Sequence, residues 1–165
     1  MTTATAPFDQ TALRHAYGRY PSGVVALCAE VEGERIGMAA SSFVTVSLEP
    51  ALVAFCVQHT STTWPTLRTS RRIGISVLGE DHHEAARSLA AKGRDRFAGL
   101  TTRTADSGAL FIGGASMWLQ AQVTDHLPAG DHDIVLMAVD NFEIADEVAP
   151  MVFHASKFRR LVGGI

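Results

Sequence analysis

The chain has 165 residues, long enough for one domain with a core that needs neither disulfides nor metals. Apolar residues make up 47% and charged residues 19%, which excludes a disordered chain. A formal net charge of −3 argues against a general nucleic-acid binder, which would carry a basic stripe, though it leaves room for a local cationic pocket.

In chain order, Asp9 or Thr11 can cap a helix in which Leu13, Ala16, Tyr17 and Tyr20 recur at helical spacing until Pro21. VVALCAEV reads as a strand, and EGER as a turn into a second strand beginning near Ile36. GMAASSFVTVSLEP follows, a small-residue and hydroxyl stretch running into alternation over Phe43 to Ser47 and stopped by Glu49-Pro50. LVAFCV is a short apolar strand. HTSTTWPTL places hydroxyls before a short helix, with Pro65 tolerable only in the first turn. IGISVL is the next strand. GEDHHEAARSLAAKG reads as a helix with Asp81 as N-cap and Glu84 three residues on, a capping-box spacing that leaves the histidines exposed. A loop carries RDRFAG and TADSGALFIGG. Two long strands, Met117–Thr124 and His132–Ile144, are joined by HLPAGD, and MVFH closes the count before a basic tail, KFRRLV.

About eight strands therefore dominate two or three helices. The fold class expected is mainly β, a closed or nearly closed antiparallel barrel with packed helices. One domain over residues 1–165 is expected, with 1–8 flexible. Cys28 and Cys56 lie inside apolar runs and read as buried thiols of a reducing compartment. The start, MTTATAPFD, has neither a basic n-region nor an apolar h-region, and runs such as Ile134 to Val139 are far too short to span a bilayer. A cytoplasmic protein without membrane segments is the expectation.

Several motifs bear on chemistry. Ser61, Thr62 and Thr63 can cradle a phosphate at a helix start, or can be ordinary capping residues. Lys92-Gly93-Arg94-Asp95-Arg96-Phe97 is either a solvated loop or a clamp on a charged ligand. Gly130-Asp131-His132 opens a long strand, where His132 is a turn residue or a polar group at a pocket rim. Asp81-His82-His83 is similar to a triplet of metal-dependent phosphoesterases, but the further Asp and His clusters that such a site needs are missing, and no metal is expected. There is no G-x-S-x-G elbow, no G-x-G-x-x-G after a strand and no P-loop, so any nucleotide binds outside a Rossmann frame.

Taken together, the ordered segments resemble the flavin reductase family, the small flavin:NAD(P)H oxidoreductases that serve two-component monooxygenases. The likeness runs from about Leu13 to Arg160. It rests on PSGVVAL, GMAASSFVTVSLEPALVAFCV, STTW, ISVLGEDH, the DRFAG loop, GDH and PMVFHASKFRRL. Three positions depart from the family pattern: Ala39 stands for a threonine, Ala51 for a proline and Ser76 for an asparagine.

The resemblance implies a split β-barrel homodimer that binds FMN or FAD near the subunit interface and accepts hydride from NADH or NADPH. It implies that the flavin ring lies against Met38, Ala39, Ala40, Ser41 and Ser42, with Cys56, Val57 and Gln58 along the ring or ribityl chain. Ser61, Thr62, Thr63 and Trp64 with Lys92, Arg96 and Phe97 would surround the phosphate. Gly130, Asp131 and His132 would meet the nicotinamide. His132 and Ser41 are the groups expected nearest the chemistry, and a flavin-dependent oxygenase component is the implied partner. The alternative is a non-catalytic flavin carrier or sensor on the same fold.

Overall fold

A computed structural model describes residues 8–164. Of the segment expected to be flexible, residues 1–7 lie outside this range. The chain runs α1 (Gln10–Tyr17), β1 (Ser22–Gly23), β2 (Val25–Val31), β3 (Glu34–Ala40), β4 (Val44–Leu48), β5 (Ala51–Gln58) and α2 (Trp64–Leu67). It continues through β6 (Ile73–Val77), α3 (His83–Ala90), β7 (Thr102–Thr104), β8 (Leu110–Ile112), β9 (Met117–Ala129), β10 (His132–Ile144), β11 (Val152–His154) and β12 (Lys157–Arg159). The mainly β expectation holds. The strand count was underestimated because β1, β7, β8 and β12 are too short to carry a period-2 signal.

Seven strands form one antiparallel ladder in the order β3-β2-β6-β9-β10-β5-β4. The expected barrel closure is not made by this ladder, in which β3 and β4 stand at opposite edges. Yet only residues 41–43 separate those edges in sequence. Four residue steps span at most roughly 14 Å, whereas six inter-strand spacings laid flat cover roughly 28 Å. The sheet is therefore strongly curled, and the short link crosses the gap between its edges.

The apolar pattern follows from this curl. On one face of β2, Val25, Leu27 and Ala29 join Phe55, Ile73, Ile75, Val135 and Met137 in one core cluster. On the other, Ala26 and Cys28, with Val24 just before the strand, pack with Leu78, Ala86, Leu89 and Phe97 near α3. Burial on both faces is why VVALCA shows no alternation. Each fully buried Leu or Phe contributes about 1.5–3 kcal/mol of transfer free energy. Ser76, the buried polar residue of β6, accepts the backbone N–H of Ile112 at 3.0 Å, so it ties β8 to the ladder.

Two helix expectations need correction. Asp9 does cap α1, its carboxylate accepting from the Thr11 and Ala12 N–H groups, but the helix stops at Tyr17 and buries none of its residues. Asp81 does not cap α3; the helix begins at His83 with His82 in the cap position and no side-chain cap bond. The Asp81 carboxylate instead accepts from Arg160 at 2.5 Å, and the His82 ring is half-buried rather than exposed. The basic tail, not counted among the strands, contributes β12, which pairs with β11.

Candidate functional site

The link between the curled edges forms one wall of a cleft. Ser42 stitches it down: its hydroxyl accepts from Cys56 N–H at 2.9 Å and donates to Cys56 C=O at 3.0 Å. One side chain thereby satisfies both backbone groups of a β5 residue. Ser41, beside it, is exposed and carries no such bond among the described residues. Ahead of it, Met38, Ala39 and Ala40 end the edge strand β3.

These residues border a cavity of about 440 Å³. Cys56, Val57 and Gln58 of β5 continue its wall, followed by the loop 60–63, with Lys92, Arg96 and His132 closing the remaining sides. Such a volume suits a small-molecule or cofactor ligand, for which about 300–1,000 Å³ is usual. Among the described residues lining it there are two fixed cations, Lys92 and Arg96, and no carboxylate. One end is thus electropositive and rich in hydroxyls, and another is walled by small side chains that let a flat ring approach the backbone.

Arg96 organises the cationic end. Its Nη1 donates to Gly37 C=O at 2.9 Å and to Thr63 Oγ1 at 2.8 Å. Glycine at 37 is demanded by space: a Cβ there would lie 2.6 Å from the Phe97 ring and 2.7 Å from the Cys28 sulfur. Ser61 Oγ accepts from Trp64 N–H at 3.2 Å, so one of the three hydroxyls does act as a cap. Helix α2 has only four residues, which makes its dipole a minor source of anion attraction beside Arg96 and Lys92.

Four of the residues expected around the ligand do not line this cavity. The Trp64 side chain turns into the core, edge-on to Phe55 at 5.1 Å between ring centres. Its indole N–H is buried without a hydrogen-bond partner among the described residues. Phe97 belongs to an adjoining outer cavity of about 450 Å³, also lined by Arg35, Arg94 and Asp95, which meets the first at Thr62, Thr63 and Arg96. Gly130 and Asp131 form the two-residue turn between β9 and β10; Gly130 has φ of 67°, which glycine adopts without strain.

His132 does reach the rim, with its Nδ1 2.7 Å from Asp131 Oδ1. That hydrogen bond, then the imidazole charge, holds the Asp131 carboxyl below its usual range. The motif reading did not find a second histidine–carboxylate pair next in sequence to the cavity residues Gln58 and His132, His59 Nε2 to Asp133 Oδ1 at 2.9 Å, which does not itself line the cavity. It also missed Thr60, Leu89 and Ala90, which line the cavity. The last two come from the end of α3, whose packing direction has no signature in its own residues.

Other groups sort away from the cleft. Asp81 pairs with Arg160 and His83 approaches Glu84 at 3.6 Å, while His82 Nδ1 accepts from Gly79 N–H at 3.0 Å. The triplet therefore does not converge. Cys28 is buried and its thiol is pushed up to about 12 by desolvation, with a backbone bond to Met38 acting the other way. Cys56, expected to be buried, is only half-buried because it lines the cavity. Among the described residues no helix is long and apolar enough to cross a membrane.

The curled antiparallel sheet and its cleft define a β-protein with a wall of small side chains on one side of a cavity and two cations among hydroxyls on another. The chain belongs to the family described as flavin reductase like domain, whose pattern matches residues 17–162. It is 34% identical over 147 residues to a flavin reductase of Pseudomonas putida, covering 88% of this chain and 86% of that protein. Its structure is similar to that of nitrilotriacetate monooxygenase component B from Mycobacterium thermoresistibile, with TM-score 0.89, 28% identity, and coverage of 93% of this chain and 87% of the other. It is likewise similar to the NADH:FAD oxidoreductase of Streptomyces globisporus C-1027, with TM-score 0.88, 31% identity and 99% coverage of both chains. The family resemblance drawn from the ordered motifs is upheld.

Proposed function

We propose that the protein is a flavin reductase that takes hydride from NADH or NADPH onto FMN or FAD held in this cleft. Hydride transfer between the nicotinamide and flavin rings is the chemistry those cofactors supply when bound. The protein's part is to bind, orient and stabilise. Ala39 and Ala40 admit a planar ring close to the backbone, and Ser41 offers a free hydroxyl to its polar edge. Ser42 acts indirectly, holding the wall to β5 through its two bonds with Cys56. Lys92 and Arg96 with Ser61, Thr62 and Thr63 bind the phosphate, and His132 at the rim orients the nicotinamide. Holding two rings in contact is a large source of rate, through proximity alone.

The carboxylate-free, cationic end of the cleft carries this reading, since that is the environment a phosphate-bearing ring needs. Reduced flavin would pass to a partner oxygenase, as the monooxygenase component among the similar structures suggests. The curled sheet, taken with its family, supports assignment as a single split-barrel domain. Val44, Val46 and Leu48 of β4 are 54%, 52% and 98% exposed, and the paired Leu127 and Ile134 are 47% and 39% exposed. Those exposed apolar side chains lie on the edge strand β4 and on the β9–β10 pair, which β5 separates from β4, and they suit the contact face of a homodimer. The two free cysteines fit a cytoplasmic location.

Anaerobic stopped-flow mixing with NAD(P)H tests the proposal. The blue-light absorbance that makes oxidised flavin yellow should bleach in an enzyme-dependent way with FMN or FAD. A protein that binds flavin but leaves it oxidised is a carrier, and the reductase reading then fails.

A further inference from the structure

The outer cavity has a composition that the first one lacks. Arg35 lays its guanidinium over the Phe97 ring, 5.1 Å from the centroid, with the side chain 40% exposed. One face of that planar cation is therefore packed and the other is open for stacking. Arg94, anchored by a 3.3 Å bond to Ser88 Oγ, brings a second cation, and Arg96 stands at the boundary with the inner cavity. Two carboxylates are also present. Asp95 accepts the Phe97 N–H at 2.9 Å with one oxygen and faces Arg35 at 3.8 Å with the other, while Glu34 lies on the same lining.

A bare anion site has no use for those carboxylates, and an apolar-ligand site has no use for three arginines. An adenosine phosphate uses both. Cations meet the phosphate, carboxylates accept from ribose hydroxyls, and the open face of Arg35 stacks on the adenine. The position adds a constraint: the cavity begins at Arg96, where the phosphate of a flavin in the inner cavity would end. Resting on the flavin reading above, we infer that the outer cavity binds the adenylate half of FAD, so that the protein selects FAD over FMN. FMN has nothing to place there. FAD carries its second phosphate, ribose and adenine beyond the first phosphate, into a cavity of about 450 Å³.

Flavin-fluorescence titration of the full chain with FAD and with FMN, without nicotinamide, tests this directly. FAD should bind about tenfold or more tightly than FMN. Arg35→Gln and Arg94→Gln should each raise the FAD dissociation constant by about five- to tenfold and leave FMN within about twofold. Both positions are exposed on the surface, and two separate variants guard against one that misfolds. Adenosine monophosphate should compete with FAD in the wild type and lose that ability in the variants. Equal FAD and FMN affinities, unchanged by either substitution, would overturn the adenylate site while leaving the flavin reading intact. Binding of neither flavin would remove both. Should the substitutions raise the Michaelis constant for NADH and leave the FAD-to-FMN ratio alone, the cavity belongs to the nicotinamide dinucleotide and the inference is wrong.

Discussion

Replacing Arg96 with Ala separates phosphate binding from ring binding. Both N–H groups of Nη1 are committed, to Gly37 C=O and Thr63 Oγ1, which fixes the guanidinium plane across the cavity boundary. The Nε and Nη2 edge keeps three donors, a fork matched to two phosphate oxygens. A hydrogen bond to a charged group is worth about 1.5–3 kcal/mol. Losing that contact should weaken FMN binding roughly 10- to 150-fold. Riboflavin, which has the same ring and no phosphate, is the internal control and should change by less than about threefold. Arg96→Lys keeps the charge but not the fork, so it should fall between wild type and Ala. Titration of flavin fluorescence with each variant gives all these numbers. If riboflavin weakens as much as FMN, Arg96 acts by shaping the loop around Gly37 and Thr63, and the phosphate assignment fails.

Three further outcomes are expected. His132→Ala should raise the nicotinamide Michaelis constant by about tenfold and the flavin dissociation constant by less; the reverse order in steady-state and titration data would put His132 on the flavin. Ser42→Ala should lower stability by about 1–3 kcal/mol, because it strips both backbone groups of Cys56 of their partner. A urea midpoint unchanged by that substitution would contradict the stitching role. His82 is held below the usual histidine range, by burial first, against bonding to Gly113 and the charge of Asp81. Its folded value lies below its unfolded one, so its contribution is present above the unfolded value and is lost as pH falls through the folded one. His82→Gln should therefore flatten the loss of urea stability as pH falls below the ordinary histidine value of about 6.5, and an undiminished slope in the variant would refute this.

Legibility in the sequence was uneven for physical reasons. Elements with a local signal were found: the long β9–β10 hairpin, the doubly buried β2 and the proline-started α2 each announce themselves within a few residues. The cap of α3 misled, because the Asp81-x-x-Glu84 spacing is satisfied on paper while an arginine far along the chain, Arg160, takes the carboxylate. Trp64 misled in the same way. It sits among the hydroxyls that form the cleft, but helix geometry points its ring at Phe55. The cleft's composition was largely readable because its wall is contiguous in sequence at residues 38–42, 56–58 and 61–63. The outer cavity was not, since Arg35 and Phe97 meet across unrelated segments.

The wall at residues 39–42 also explains why a gap in the sheet persists. β3 and β4 are not paired with one another: β3 pairs with β2 and β4 with β5, so residues 41–43 run from one edge of the ladder to the other. Ser42 answers this by bonding to β5, the neighbour of β4, with a side chain instead of a strand. Arg96 does the same on the β3 side, taking the Gly37 carbonyl of the edge strand. Two side chains thus replace part of the missing ladder, and neither fills the space between the strands. A cleft held open by side-chain bonds at its borders leaves the small residues Ala39 and Ala40 facing free volume. A threonine at 39, as in the family pattern, would return a hydroxyl to that wall; the alanine leaves contact there to shape and to the backbone. In the proposed function the departure therefore bears on how closely a ring can approach, whereas the cationic lining of Arg96 and Lys92 is untouched by it.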